Sequence, residues 1–200
     1  MKEKLNVNQI PELKQAIIDL TEKEKNQLLI RLVNKDQILV EHLHFKLLED
    51  EYDLIKRFET LETEIKIELK NNYSFILNEK YDNSAKLLLR LIRNLSGKIN
   101  HFSKITKDIN YELELRAILL IESYKLYKSI LHQEFIFADK LRAYQITRIK
   151  AIVKLFNKLH DDLKFDFIEK YGVALELIFE KDLAIELKQA KLSFRDFKID

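Results

Sequence analysis

The chain has almost none of the residues that interrupt a helix or cross-link a fold. Its 200 residues include two glycines, one proline and no cysteine, whereas average proteins contain about 7% glycine and about 5% proline. Without cysteine there is no disulfide, no thiolate zinc site and no cysteine nucleophile. The two glycines also exclude the glycine-rich phosphate loops and the G-x-S-x-G turn of serine hydrolases.

Long apolar runs are lacking as well. The first residues, MKEKLNVNQIPELKQ, contain no apolar core of the roughly 7 to 15 residues that a secretory signal needs. Nowhere do about 18 uncharged apolar residues follow one another, as a membrane-spanning helix requires. We therefore expect a soluble cytoplasmic protein with no membrane span.

What is present is apolar side chains at steps of three and four residues, the spacing of helices packed against helices. The clearest stripe contains Leu54, Phe58, Leu61, Ile65 and Leu69. The sequence predicts an all-α protein of about seven or eight helices and no sheet. We expect a single domain, 1–200, with a possible division into short helical hairpins at 1–48 and a bundle of longer antiparallel helices at 49–200.

Local signals place the helix ends. Thr21 and Glu24 have the spacing of a capping box, and Asp108 or Thr106 is positioned to cap a helix that ends near Leu131. Because the stretch 116–121 is apolar on nearly every side, we expect that helix at the centre of the bundle. Helices are also expected at about 84–107, 139–160 and 173–192, with Gly172 ending the helix before it.

Two resemblances follow from these patterns. The three short helices expected in the first 48 residues resemble HEAT-like or armadillo-like hairpins. The stretch KLHDDLKFDF near the end, together with the hairpin-like beginning, is similar to an uncharacterised family of helical bacterial proteins of about this length. That resemblance implies no activity and assigns no functional residue.

Charge is nearly balanced overall, at +2, but alternates in blocks along the chain. Residues 80–107 hold seven basic residues and one acid, and residues 140–158 hold six basic residues and no acid. Two further blocks, 49–68 and 161–186, each hold eight acids and three basic residues. On a helical projection the basic side chains lie opposite the apolar stripe, and Gly97 lies among them.

These basic faces have three interpretations. They are solvated faces partly neutralised by the acidic helices, sites for phosphate or nucleic acid, or a surface for a protein partner. Two arginines near the edge of the apolar stripe, Arg142 and Arg148, are instead expected to form structural ion pairs with an acidic helix. The candidate binding residues are Lys86, Arg90, Arg93, Lys104, Lys150 and Lys154.

Residues suited to catalysis or to metal binding form no convincing constellation. His42 and His44 point to different sides of a helix, and the pair Glu41 and His44 has no second E-x-x-H pair with which to hold two metals. The acids after His160 match the preference of a helix N-terminus for negative charge. We expect no catalytic residue, no metal and no cofactor.

The sequence therefore predicts a non-catalytic interaction or scaffold module that binds a protein partner or a second copy of itself. The alternative is a helical nucleic-acid-binding protein that uses the basic faces.

Overall fold

The computed structural model describes residues 6–80 and 82–199, residue 182 for its backbone alone, and these residues form helices with no strand among them. The predicted all-α fold is confirmed. The α-helices are α1 (Pro11–Ile18), α2 (Glu22–Val33), α3 (Gln37–Leu48), α4 (Glu51–Asn71), α5 (Tyr73–Asn78), α6 (Asp82–Thr106), α7 (Ile109–Leu131), α8 (Ile136–Phe156), α9 (Asp161–Leu177) and α10 (Ala184–Gln189).

The chain divides into two compact units, Met1–Leu48 and Glu49–Asp200. The first contains α1, α2 and α3. The predicted capping box is confirmed, because the Thr21 side chain accepts from the Glu24 N–H and the Glu24 carboxylate accepts from the Thr21 N–H. Asp36 caps α3 by accepting from the Ile38 and Leu39 N–H groups. None of the described residues of this unit is buried.

The second unit is organised around α7. The five residues from Ala117 to Ile121 are all buried, which confirms the expected central position of this helix. It runs antiparallel to α6, since Arg116 donates to Asn100 (2.7 Å) and Ser103 donates to Glu112 (2.5 Å). These contacts place the end of one helix beside the start of the other.

Helices α6 and α8 pack side by side and run in the same direction. At their N-terminal ends the Phe137 N–H donates to the Asp82 carboxylate (2.7 Å). Further along, the Arg93 guanidinium of α6 lies over the Tyr144 ring of α8. Helices α6, α7 and α8 alternate in direction, as expected for an antiparallel bundle, so α6 and α8 are parallel to each other and both pack antiparallel against α7.

Helix α4 covers another side of α7 and runs parallel to it. Near the beginning of both helices the rings of Phe58 and Tyr111 lie 4.7 Å apart. Near the end of both, the buried Tyr127 hydroxyl donates to the Leu69 carbonyl (2.6 Å). The backbone of α7 departs from helical geometry at Tyr127, the residue that makes this bond.

The predicted break at Gly172 is wrong. Gly172 is buried inside α9 and does not have a positive φ. A Cβ there would lie 3.1 Å from Cγ2 of Ile168 and 3.9 Å from Cζ of Phe194, so the missing side chain serves close packing. The helical path changes instead at Ile178–Asp182, which forms a π-helical turn between α9 and α10. Helix α8 also ends earlier than expected, at Phe156.

Candidate partner-binding groove

The predicted division of α6 into an apolar and a basic side is confirmed. Leu88, Ile92, Leu95 and Ile99 are fully buried against the bundle. On the opposite side Lys86, Arg90 and Arg93 are exposed, as is Gly97. The α6 cations therefore face away from the core.

The neighbouring helix α8 adds cations to this surface through two aromatic rings. The first ring is that of Phe137, which contacts one cation from each helix. The Lys86 Nζ atom is 5.7 Å and the Lys140 Nζ atom 4.6 Å from the ring centroid. Both distances fall within the range of a cation–π attraction.

Tyr144 repeats this arrangement about two turns further along α8. The guanidinium carbon of Arg93 is 5.3 Å and that of Arg148 4.9 Å from the Tyr144 ring centroid. Each ring thus joins one cation of α6 to one cation of α8. Because α6 and α8 are parallel, the two sets repeat in the same order along both helices.

A groove of about 510 Å³ opens beside these cations. Its apolar wall includes Phe75 of α5, whose side chain is 59% exposed. A second depression of about 460 Å³ continues it on the other side of Phe75, Leu87 and Arg90, which line both. We call the first depression the basic groove, and its lining consists of Phe75, Glu79, Asn83, Lys86, Leu87, Leu89, Arg90, Arg93 and Phe137.

Five cations at or beside the basic groove have no ion-pair partner among the described residues. Three of them line the basic groove, and the other two, Lys140 and Arg148, share the rings of Phe137 and Tyr144 with groove cations. Other cations of the same bundle are paired: Lys98 with Glu64, Arg116 with Glu112 and Lys170 with Glu114. The unpaired cations are Lys86, Arg90, Arg93, Lys140 and Arg148.

Arg142 meets the expectation of a structural ion pair. Its guanidinium pairs with Glu186 of α10 (2.9 Å) and with Asp139. It also donates to the carbonyls of Leu131 (2.5 Å) and Gln133 (2.9 Å), which lie at the C-terminal end of α7. Arg142 therefore fastens three segments of the bundle together.

For Arg148 the same expectation is wrong. Its guanidinium stacks on Tyr144, while its Nε atom is buried without a hydrogen-bond partner among the described residues. This side chain lines a cavity of about 10 Å³ with Ser96 and Gln145, which is room for about one water molecule. Among the described helices it is α6, and not an acidic helix, that packs beside Arg148.

The remaining sequence candidates lie elsewhere. Lys104 is in the last turn of α6, about three turns beyond Arg93. Lys150 lines a different depression, between α8 and α10, together with Glu186. Lys154 is exposed one turn after Lys150. Of the six candidates, the structure brings Lys86, Arg90 and Arg93 together.

Sequence reasoning missed Lys140, Arg148 and the two rings as parts of this surface. Phe137 and Tyr144 are seven residues apart and so share one edge of α8. That spacing is a detectable signal. What it leaves open is which helix packs against that edge.

The acidic stretch near residue 160 has the structure of a helix beginning. Asp161 and Asp162 lie in the first turn of α9, as expected for acids at a helix N-terminus. A hydrogen bond from Lys164 (2.8 Å) lowers the pKa of Asp161. Within residues 6–80 and 82–199, no three histidine or acidic side chains are grouped so as to hold a metal ion.

In the part of the chain that the structure describes, no helix is both long and apolar enough to cross a lipid bilayer. Comparison of the chain with protein-family models, with curated proteins and with solved structures finds no match.

Proposed function

We propose that this chain is a non-catalytic interaction module and that its basic groove binds an acidic, partly apolar segment of a protein. One observation carries the proposal. Three exposed cations, Lys86, Arg90 and Arg93, have no carboxylate partner among the described residues and line a groove that also presents the exposed Phe75 ring. An incoming carboxylate would supply the missing partner.

The aromatic rings improve this groove as a binding site. Phe137 and Tyr144 hold cations beside them, so Lys86 and Arg93 lose less side-chain freedom on binding than solvated side chains would. Phe75 and Leu87 provide the apolar contact that usually anchors a protein interface. The charges then add orientation and a faster association rate.

The same geometry disfavours single-stranded nucleic acid. Bases bind such surfaces by stacking on several open aromatic faces, but cations already lie over the rings of Phe137 and Tyr144, which leaves Phe75 as the one open ring in the described lining of the groove. Nucleic acid therefore remains the second candidate, supported by the cluster of unpaired cations alone.

The test uses a fluorescein-labelled synthetic peptide of about 18 residues, with Leu and Phe on one helical face and Glu around them. A peptide of the same composition in scrambled order is the control ligand. We expect the patterned peptide to bind the full chain, and Arg90→Glu/Arg93→Glu to weaken binding at least about tenfold. The matched variant Lys150→Glu/Lys154→Glu makes the same charge change outside the groove and should alter binding less than about threefold.

Two results would overturn the proposal. The first is equal peptide binding by the two charge-reversed variants, which would mean that general charge attraction and not the groove holds the peptide. The second is tighter binding of a single-stranded or duplex oligonucleotide than of the peptide at about 0.15 M salt. Loss of about one unit of salt slope in Arg90→Ala would then identify a phosphate contact.

A further inference from the structure

Helix α9 presents a surface opposite in charge to the basic groove. Three large apolar side chains on it are exposed: Phe165 by 61%, Val173 by 75% and Leu177 by 47%. Acidic side chains stand between them on the same side, within an arc of about 120°. We call this surface the α9 face, and it consists of Asp162, Phe165, Asp166, Glu169, Val173, Glu176 and Leu177.

Asp162 of the α9 face lies 3.4 Å from the His160 ring, but the other three acids have no partner among the described residues. Asp166, Glu169 and Glu176 are exposed and pair with no cation among the described residues. Large exposed apolar side chains with unpaired charges between them are typical of surfaces that bind another protein. The α9 face therefore needs a partner that is both basic and apolar.

The opposite side of α9 holds this face rigidly in place. Phe167, Tyr171 and Leu175 are buried against the bundle. The Tyr171 hydroxyl donates to Glu114 of α7 (2.8 Å), and the Lys170 ammonium donates to the same carboxylate (2.6 Å). A helix fixed in this way has little freedom left to lose on binding.

The α9 face is somewhat longer than the basic groove and the depression that continues it. From Asp162 to Leu177 the helix rises about 22 Å. The α6 side of the groove and of the depression that continues it, from Asn83 to Asn94, rises about 17 Å. The α9 face carries acids and the basic groove three cations with one acid, Glu79, and both surfaces also expose apolar side chains.

We infer that the partner is a second copy of this chain, with the α9 face of one molecule docked in the basic groove of the next. This inference rests on the proposed function and specifies its partner. Near-neutral total charge, +2, means that two copies do not repel each other overall, while their oppositely charged surfaces attract.

The contact is head to tail. The groove is built on α5, α6 and α8, whereas α9 is fixed to α7 through Glu114. Two different surfaces of each molecule are therefore used, and a pair of molecules joined by one such contact leaves one groove and one α9 face unoccupied. Such association continues beyond a dimer, into a ring or an open chain of molecules.

The experiment measures the mass of the full chain by sedimentation over a range of concentrations around 10 µM, where small transient interfaces dissociate. We expect the mass to rise with concentration past that of a dimer and to fall as salt is added. Arg90→Glu/Arg93→Glu and Glu169→Lys/Glu176→Lys should each weaken association at least about tenfold. An equal mixture of the two should associate again, because each reversed surface meets its reversed counterpart.

Matched controls separate these effects from general charge. Lys150→Glu/Lys154→Glu controls for the groove variant, and Glu51→Lys/Glu59→Lys, two exposed acids of α4, controls for the α9 variant. Both controls should associate like the unaltered chain. Thermal melts followed by circular dichroism show whether each variant is folded, and the mixing result is read from variants that melt cooperatively.

Three outcomes would overturn the inference. If the unaltered chain stays monomeric while the acidic peptide binds the groove, the partner is another protein and the proposed function stands. If the chain stays monomeric and the peptide does not bind either, both proposals fail. If the chain associates but the mixture of reversed variants does not, a different surface joins the copies.

Discussion

Arg142 and Arg148 lie less than two turns apart on α8 and meet opposite surroundings. At the turn between α7 and α8, Arg142 reaches two carboxylates and two main-chain carbonyls. At the groove, Arg148 and Arg93 reach one tyrosine ring and no carboxylate among the described residues. At the helix junction the guanidinium is satisfied within the fold, whereas the cations at the groove have no carboxylate partner among the described residues.

This difference shows how to distinguish a structural cation from a binding cation. Both arginines of α8 are partly buried, so exposure does not separate them. Their hydrogen-bond partners separate the two arginines. A guanidinium that holds carbonyls and carboxylates in place cannot be removed without leaving those acceptors unsatisfied. A guanidinium on an aromatic ring leaves no unsatisfied group behind.

Removal of Arg142 should have the largest effect on stability. Arg142→Ala deprives Glu186 and the carbonyls of Leu131 and Gln133 of their donor, so we expect the free energy of unfolding to fall by about 2–3 kcal/mol. Arg93→Ala loses a cation–π contact and should cost less than about 1 kcal/mol. Urea unfolding measures both, and equal losses would refute the distinction between junction and groove.

A second contact between helices, the hydrogen bond from Tyr127 of α7 to Leu69 of α4, should make stability depend on pH. Burial, with a smaller contribution from Tyr73, raises the pKa of Tyr127 to about 12 from the ordinary value of 10.0. The folded state thus favours the protonated hydroxyl, whose stabilising contribution is complete below pH 10 and lost as the pH rises toward 12. Tyr127→Phe removes the bond to Leu69 and should cost about 1–2 kcal/mol at neutral pH.

Denaturant unfolding at several pH values tests whether the stabilising contribution of Tyr127 falls as the pH rises. The gap between the unaltered chain and Tyr127→Phe should be constant up to about pH 10 and then narrow. A gap that widens above pH 10 would mean that the ionised hydroxyl is favoured in the folded state, contrary to the effect of burial.

The smallest effect is expected on the basic side of α6. Gly97 is exposed in mid-helix, and a Cβ at this position would meet nothing within 4 Å. Gly97→Ala should raise the free energy of unfolding by about 0.5–1 kcal/mol. Association should stay within about twofold, because Gly97 does not line the groove. A clear loss of association would show that the partner approaches the main chain at Gly97.

The parts of the fold that depend on neighbouring residues were predictable from the sequence. The apolar and basic sides of α6, the capping box at Thr21 and the all-round burial of 117–121 follow from local spacing. The prediction at Gly172 was wrong because a glycine does not always end a helix. Here the lack of a side chain allows the close approach of Ile168 inside α9. The π-helical turn at Ile178–Asp182 contains neither glycine nor proline to announce it.

Only part of the basic groove could be predicted from the sequence. Lys86, Arg90 and Arg93 share a helix face and were identified together. The contacts of Lys86 with Phe137 and of Arg93 with Tyr144 depend on the parallel packing of α6 on α8. That packing joins residues such as Asp82 and Phe137, which are 55 positions apart. Helical periodicity fixes which side of a helix is apolar, but not which neighbour covers its edges. Arg148 was misjudged for this reason.

The hydrogen bond from the Gln145 amide to the Ser123 hydroxyl (3.1 Å), buried between α7 and α8, sets the alignment of these two helices. Leucine and isoleucine side chains are similar enough in shape that apolar helices can slide past one another at modest cost. A slip of one turn, about 5.4 Å, would leave the Gln145 amide buried among apolar side chains without its acceptor. Together with the bonds from Arg142 to the Leu131 and Gln133 carbonyls, this buried polar contact favours a single register of α8 on α7 and so fixes the height of Tyr144 along the bundle.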